Sequence, residues 1–96
     1  MNSMQIRDVL DRLEFMRSEM SRMHSELGEY HSNMKNTIDR LEAEGLPQEF
    51  VSRFREDHID KLSRYFDGLS EHIERESIPY TQKVIEKTNE LLSSIG

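Results

Sequence analysis

The twelve residues Ala43–Phe54, AEGLPQEFVSRF, hold the only strong break between two long helical patterns, and they constrain the fold more than any other stretch. Gly45 can take the left-handed backbone conformation that ends a helix, which other residues reach only with strain. Two places on, Pro47 has no N–H to leave unsatisfied and a φ already near the helical value, so it suits the first turn of a new helix. Two striped helices joined by so short a link fold back antiparallel.

Asn2 or Ser3 can cap the first helix, with Asp8 and Asp11 near its N-terminus. Ile6, Leu13, Met20, Leu27, Met34 and Leu41 then recur every seven residues. Val9, Met16, Met23 and Tyr30 stand three places after the first four, Thr37 interrupts that second series, and Leu10 and Ile38 widen the stripe at its ends. These are the a and d positions of a heptad repeat, which implies a left-handed twist around another helix. The pattern predicts a helix over 3–42, roughly 60 Å long. Gly28 costs it about 1 kcal/mol relative to alanine, but heptads on both sides argue for one helix.

After a turn over 43–47, a second helix is expected over 48–94. Ile59, Phe66, Ile73 and Tyr80 hold the seven-residue spacing, with Leu62 and Leu69 at the complementary position and Val51 and Phe54 extending the stripe back to the turn. Pro79 intrudes near the end of this run, where it removes a hydrogen bond and strains the preceding turn. Val84, Leu91 and Ile95, flanked by Ile85 and Leu92, continue beyond it. Either the helix kinks at Pro79 or Ser77 opens a third one; Tyr80 keeps the earlier register, which favours a kink. No stretch alternates with period two, so strands are not indicated.

Ninety-six residues make one domain as a prior, and with 34% hydrophobic and 33% charged residues its core is expected to be a narrow seam. Many chains of this kind take the rest of their stability from a partner subunit. Nineteen acidic residues against thirteen Lys and Arg give a net charge of −6 without a basic block, which disfavours nucleic acid and anionic membrane surfaces. The absence of cysteine excludes disulfides and thiolate metal sites. No apolar run spans a bilayer, and the charges in MNSMQIRDVLDRLEF fall where a signal peptide needs its apolar core. The expected location is the cytoplasm, or outside it by a route without a cleavable signal.

Chemistry finds little purchase. His24 and His31 are about 10 Å apart along one helix, too far to share a metal. Folding about Gly45 brings His31 towards His58 and Asp60, the one arrangement that could hold a metal or act in acid–base work. The Glu-x-x-His spacing of di-iron bundles, HExxH, the EF-hand loop, GxSxG and Gly-rich phosphate loops are all missing. Glu42/Glu44 and Glu74/Glu76 are two apart and point to different sides of a helix, so neither makes a dyad. A thin hairpin also offers no deep pocket. The reading is a chain without catalytic, cofactor or metal residues.

What remains is contact surface. Met16, Met20, Met23 and Met34 on the stripe of helix one either fill a core or form an adaptable partner surface, and burial against a second chain satisfies both. Tyr30 continues that surface. Phe54 and Phe66 are expected to pack on helix one, whereas Phe15, Phe50 and Tyr65 lie off the stripes and would expose large rings.

At the turn, the small size, lack of cysteine, acidity and two-helix plan are joined by Gly45-Leu-Pro-Gln-Glu-Phe50-Val-Ser-Arg-Phe54. The chain here resembles the WXG superfamily of small secreted helical hairpins, in architecture over nearly its whole length and in motif over about ten residues. Two features depart from the family pattern: Ala43 stands where the family has Trp, and Tyr80 is followed four places later by Val84 rather than an acid. The resemblance implies a homo- or heterodimeric four-helix bundle exported by a type VII-like system, or a helper bound to an effector, and the departures fit the helper better.

Together these readings predict an all-α antiparallel hairpin, coiled-coil-like, that dimerises into a four-helix bundle. Its function is expected to be non-enzymatic recognition of another helical chain, self or heterologous, as an adaptor, chaperone or secretion partner. The alternatives are a structural homodimeric scaffold and a metal-binding bundle built on His31 and His58. Arg17, His24 and His31 give the stripe a polar middle, which suggests a wet interior or a groove for another helix.

Overall fold

In the computed structural model, which describes residues 2–95, the chain is all-α, with no strand among the described residues. Asn2 caps the first helix reciprocally with Gln5: the Gln5 N–H donates to Asn2 Oδ1 and the Asn2 N–H to Gln5 Oε1, each at 2.9 Å. Helix α1 then runs unbroken over Ser3–Ala43. It ends as the glycine predicts. Gly45 has φ 103°, its N–H donates to Glu42 O at 3.1 Å, and Leu46 N–H donates to Leu41 O at 2.9 Å. That pair of bonds is a Schellman motif, which satisfies carbonyls the helix would otherwise leave open. Pro47 caps the next helix with φ −54° and ψ 140°.

Helix α1 passes through Gly28 without a break, and a methyl group added there meets nothing within 4 Å. Gly28→Ala is therefore expected to raise stability by about 1 kcal/mol. Urea unfolding checks this: the midpoint should rise at constant slope, and a fall would mean that the position is closely approached.

The returning segment is helical throughout but not uniformly wound. It consists of α2 (Gln48–Arg53), a π turn (Phe54–Ile59), α3 (Asp60–His72), a second π turn (Ile73–Ser77) and α4 (Ile78–Ile95). Each π turn takes in one extra residue, which rotates everything after it relative to an α-helix. The positions turned inward, all buried but the half-buried Phe66, record the rotation. Val51 to Ile59 is a step of eight, Ile59 to Phe66 to Ile73 two steps of seven, and Ile73 to Thr81 again eight. Tyr80 therefore does not keep the earlier register. It is 68% exposed, and Thr81, 2% exposed, takes its place. The same shift buries Ile85 and half-buries Leu92, expected only to flank Val84 and Leu91. Pro79, just beyond the second π turn, starts no new helix, since the Ile78 N–H already reaches back to Ile73 O.

The chain divides into two compact units, Ser25–Ser70 and another built from the described residues on either side of it. The Ser25–Ser70 unit is a helical hairpin. Ile38, Val51 and Ile59 form its core next to the turn, with Leu41 and Leu46 packed against them. Asp39 and Glu42 both accept from the Arg55 guanidinium across the hairpin, at 3.0 and 3.2 Å. Exposed pairs of this kind contribute at most about 1 kcal/mol. In the other unit, Ile6, Leu10 and Ile85 make the core, with Leu13 and Leu92 at its edge. Its partners also run antiparallel, since rising positions on α1 meet falling ones on the returning segment: Ile6 with Ile85, Arg17 with Gln82, His24 with Glu74.

Candidate functional site

The seam closed by α1 is not the predicted pair of rows. Its first row is as expected, with Ile6 and Leu27 buried and Leu13, Met20, Met34 and Leu41 half-buried. Its second row stands four places on rather than three: Leu10 and Ile38 are buried, and Arg17, His24 and His31 between them are half-buried. Apolar packing thus holds the ends of the row and polar pairing fills the middle.

Each polar member meets a fitting group. In the unit that flanks the hairpin the Arg17 guanidinium donates to Gln82 Oε1. Thr81 Oγ1 donates to Ser77 O at 2.8 Å and lies 3.6 Å from Met20 Sδ. His24 Nε2 is 3.6 Å from Glu74 Oε2. In the hairpin unit the Ser63 hydroxyl gives its one proton to Ile59 O at 2.8 Å, so the His31 Nε2–H donates to Ser63 Oγ. The His31 ring stands nearly edge-on to Phe66, with centroids 6.5 Å apart. Among the described residues no buried side-chain polar atom lacks a partner, so these residues close the seam and have no orphaned group to offer a ligand.

The row three places on faces outward. Val9 is half-buried, but Met16, Met23 and Tyr30 are exposed, Met23 at 46% and Tyr30 at 54%. Two of the methionines expected on the buried stripe are thus on the surface. The returning segment repeats the pattern, with Leu62, Leu69 and Leu91 exposed. In the hairpin unit the two rows open on one side, where Asn33, Met34, Thr37 and Ile38 of α1 enclose an apolar groove of about 330 Å³ with Phe54, His58, Ile59 and Leu62. The first π turn supplies Phe54, His58 and Ile59 to this groove.

Phe66 packs inward as predicted, whereas Phe54 is exposed at the groove, its ring tilted against His58 with centroids 6.1 Å apart. Phe50 lies half-exposed beside Arg53 and Phe54 near the turn. Phe15 and Tyr65 are among the most exposed rings, at 67% and 74%. Met20 is half-buried in the seam, 3.6 Å from Thr81 Oγ1. The sequence reading missed the outward places of Leu62 and Leu69. The signal was present: on each helix, the third apolar row is more than one neighbour can cover.

His31, His58 and Asp60 do not assemble into a metal site. His31 pairs with Ser63, His58 lies over Phe54, and no group of three or more His, Asp or Glu among the described residues could hold a metal ion. His72 pairs locally with Glu76 at 2.6 Å. No helix among the described residues is long and apolar enough to cross a membrane. Comparison with family models, with curated proteins and with solved structures gives no match.

Proposed function

We propose that this chain is a non-enzymatic interaction module that recognises another helical chain by side-chain packing, completing a four-helix bundle. The observation that carries the reading is the exposed pair Met16 and Met23, one heptad apart on α1 in the unit that flanks the hairpin, where the seam is already closed by other residues. An exposed apolar row beside a seam that is already closed gives α1 a second face to pack, as a bundle helix has, rather than the single narrow seam of a two-stranded coil. Methionine suits such a surface, since its unbranched chain adapts to the partner's shape. The groove between Met34 and Leu62 offers a place for an apolar side chain of that partner.

The WXG resemblance makes a helper in type VII-like secretion the first version of this reading to try. It is supported by the left-handed Gly45 at the turn and by the exposed Phe50 and Phe54 just after it. A homodimeric scaffold is the other version, and it uses the same face.

Photo-crosslinking in cells producing the chain tests the reading. A photo-reactive residue at Met23 is expected to join to a helical segment of a polypeptide, and one at exposed Ser25, on the other side of α1, is not. Equal yields at both positions, or no polypeptide adduct at Met23, would sink it.

A further inference from the structure

We infer that α4 has two registers against α1, that the second π turn lets it pass from one to the other, and that Pro79 weights the choice. Every residue involved lies in the unit that flanks the hairpin. The inward row of α4 is Thr81, Ile85, Thr88 and Leu92, the first two buried and the others half-buried. One place back stands a second row, Tyr80, Val84, Lys87 and Leu91, with Tyr80 and Leu91 exposed. It matches the first row in apolar side chains except at Lys87, whose stem can lie along the seam with its ammonium in water.

The two rows differ by one residue, and one residue is what the Ile73–Ser77 π turn takes up. Returned to α winding behind a fixed Ile73, α4 turns by about 100° and advances by about 1.5 Å. That movement brings Tyr80, Val84 and Leu91 to the seam. The first π turn has no such twin. One place back from Ile59, Phe66 and Ile73 stand His58, Tyr65 and His72, which offer no aliphatic side chain to a buried seam.

Two features hold the observed register. Thr81 fits the closed place beside Met20 with its hydroxyl donated to Ser77 O, where the larger Tyr80 crowds the seam. Pro79 opposes α winding, because in an α-helix its ring meets the carbonyl four residues back, that of Arg75. The π turn reaches five back instead, as the Ile78 N–H does to Ile73 O. A partner that binds one face of α4 more tightly than the other shifts this balance, which makes the helix a conformational switch.

The chain has no cysteine, so a single introduced thiol reports burial without background. Labelling Thr81→Cys and Val84→Cys with a small thiol reagent under native conditions tests the inference on the full chain. When Pro79→Ala is added, Thr81→Cys is expected to react about a hundredfold faster, the weight of a proline inside a helix. Val84→Cys, half-buried now, is expected to react more slowly as it moves to the place that Ile85 leaves. Arg75 is exposed, and deleting it from the Pro79→Ala chain removes the extra residue, so Thr81→Cys should return to its slow rate. Faster labelling at both positions, or a loss of helical circular dichroism, means local unfolding rather than a change of register and overturns the inference. So does a Thr81→Cys rate indifferent to Pro79→Ala, or a fast rate that survives the deletion of Arg75.

Discussion

Val51→Asp is expected to unfold the Ser25–Ser70 hairpin. Val51 is 1% exposed and packs with Ile38 and Ile59 directly against the turn that closes the hairpin. A carboxylate there is set among apolar side chains, and the Arg55 guanidinium one turn on is already held by Asp39 and Glu42, so the buried charge costs several kcal/mol even after the structure relaxes. Small domains hold only about 5–15 kcal/mol in total, and this core consists of three buried side chains next to the turn with two more at its edge. Amide hydrogen exchange should show protection lost from Ser25 to Ser70, together with a fall in helical circular dichroism. Val51→Thr, close in shape and uncharged, is expected to keep the fold with a smaller loss of about 1–2 kcal/mol. A cooperative, wild-type-like thermal transition in Val51→Asp would mean that this site is not the keystone of the hairpin.

Ile6→Ala is the counterpart in the other unit. Ile6 is 0% exposed and shares its cluster, among the described residues, with Leu10 and Ile85, with Leu13 and Leu92 packed at the edge. Truncating a buried isoleucine to alanine costs about 2–5 kcal/mol, through lost transfer energy and the cavity left behind. The two buried clusters have no residue in common. Exchange should therefore quicken at residues 2–24 and 71–95 while the Ser25–Ser70 amides stay protected, as cooperative sub-domain opening predicts. Uniform acceleration along the chain would show instead that the clusters melt as one.

The candidate surface was half legible in the sequence. Met16, Met23 and Tyr30 stand out there as an apolar series, but the series looks like the buried half of a heptad stripe. Arg17, His24 and His31 look like its flank. The structure exchanges the two roles, because each polar residue finds a specific partner across the seam: Arg17 with Gln82, His24 with Glu74, His31 with Ser63. A burial rule applied residue by residue ranks methionine inside and arginine outside. It has no access to the glutamine or serine that makes the reverse arrangement inexpensive.

The sequence by itself determined the helices and the turn. Asn2 with Gln5, the continuous heptads to Leu41, Gly45 and Pro47 all act within a few residues of chain, through capping bonds and permitted backbone angles. Only the tertiary structure decided which rows face inward. A seven-residue repeat permits a second row three or four places after the first with equal regularity, and the choice falls to the side chains that meet across the seam. The same is true of the two π turns. Nothing local to Phe54–Ile59 announces the first, and Pro79 marks strain near Ile73–Ser77 without fixing the winding there, yet each adds the one residue that brings Ile59 and Thr81 round to the seam. Helical phase is cumulative, so one residue of π winding turns the exposed and buried faces of everything beyond it.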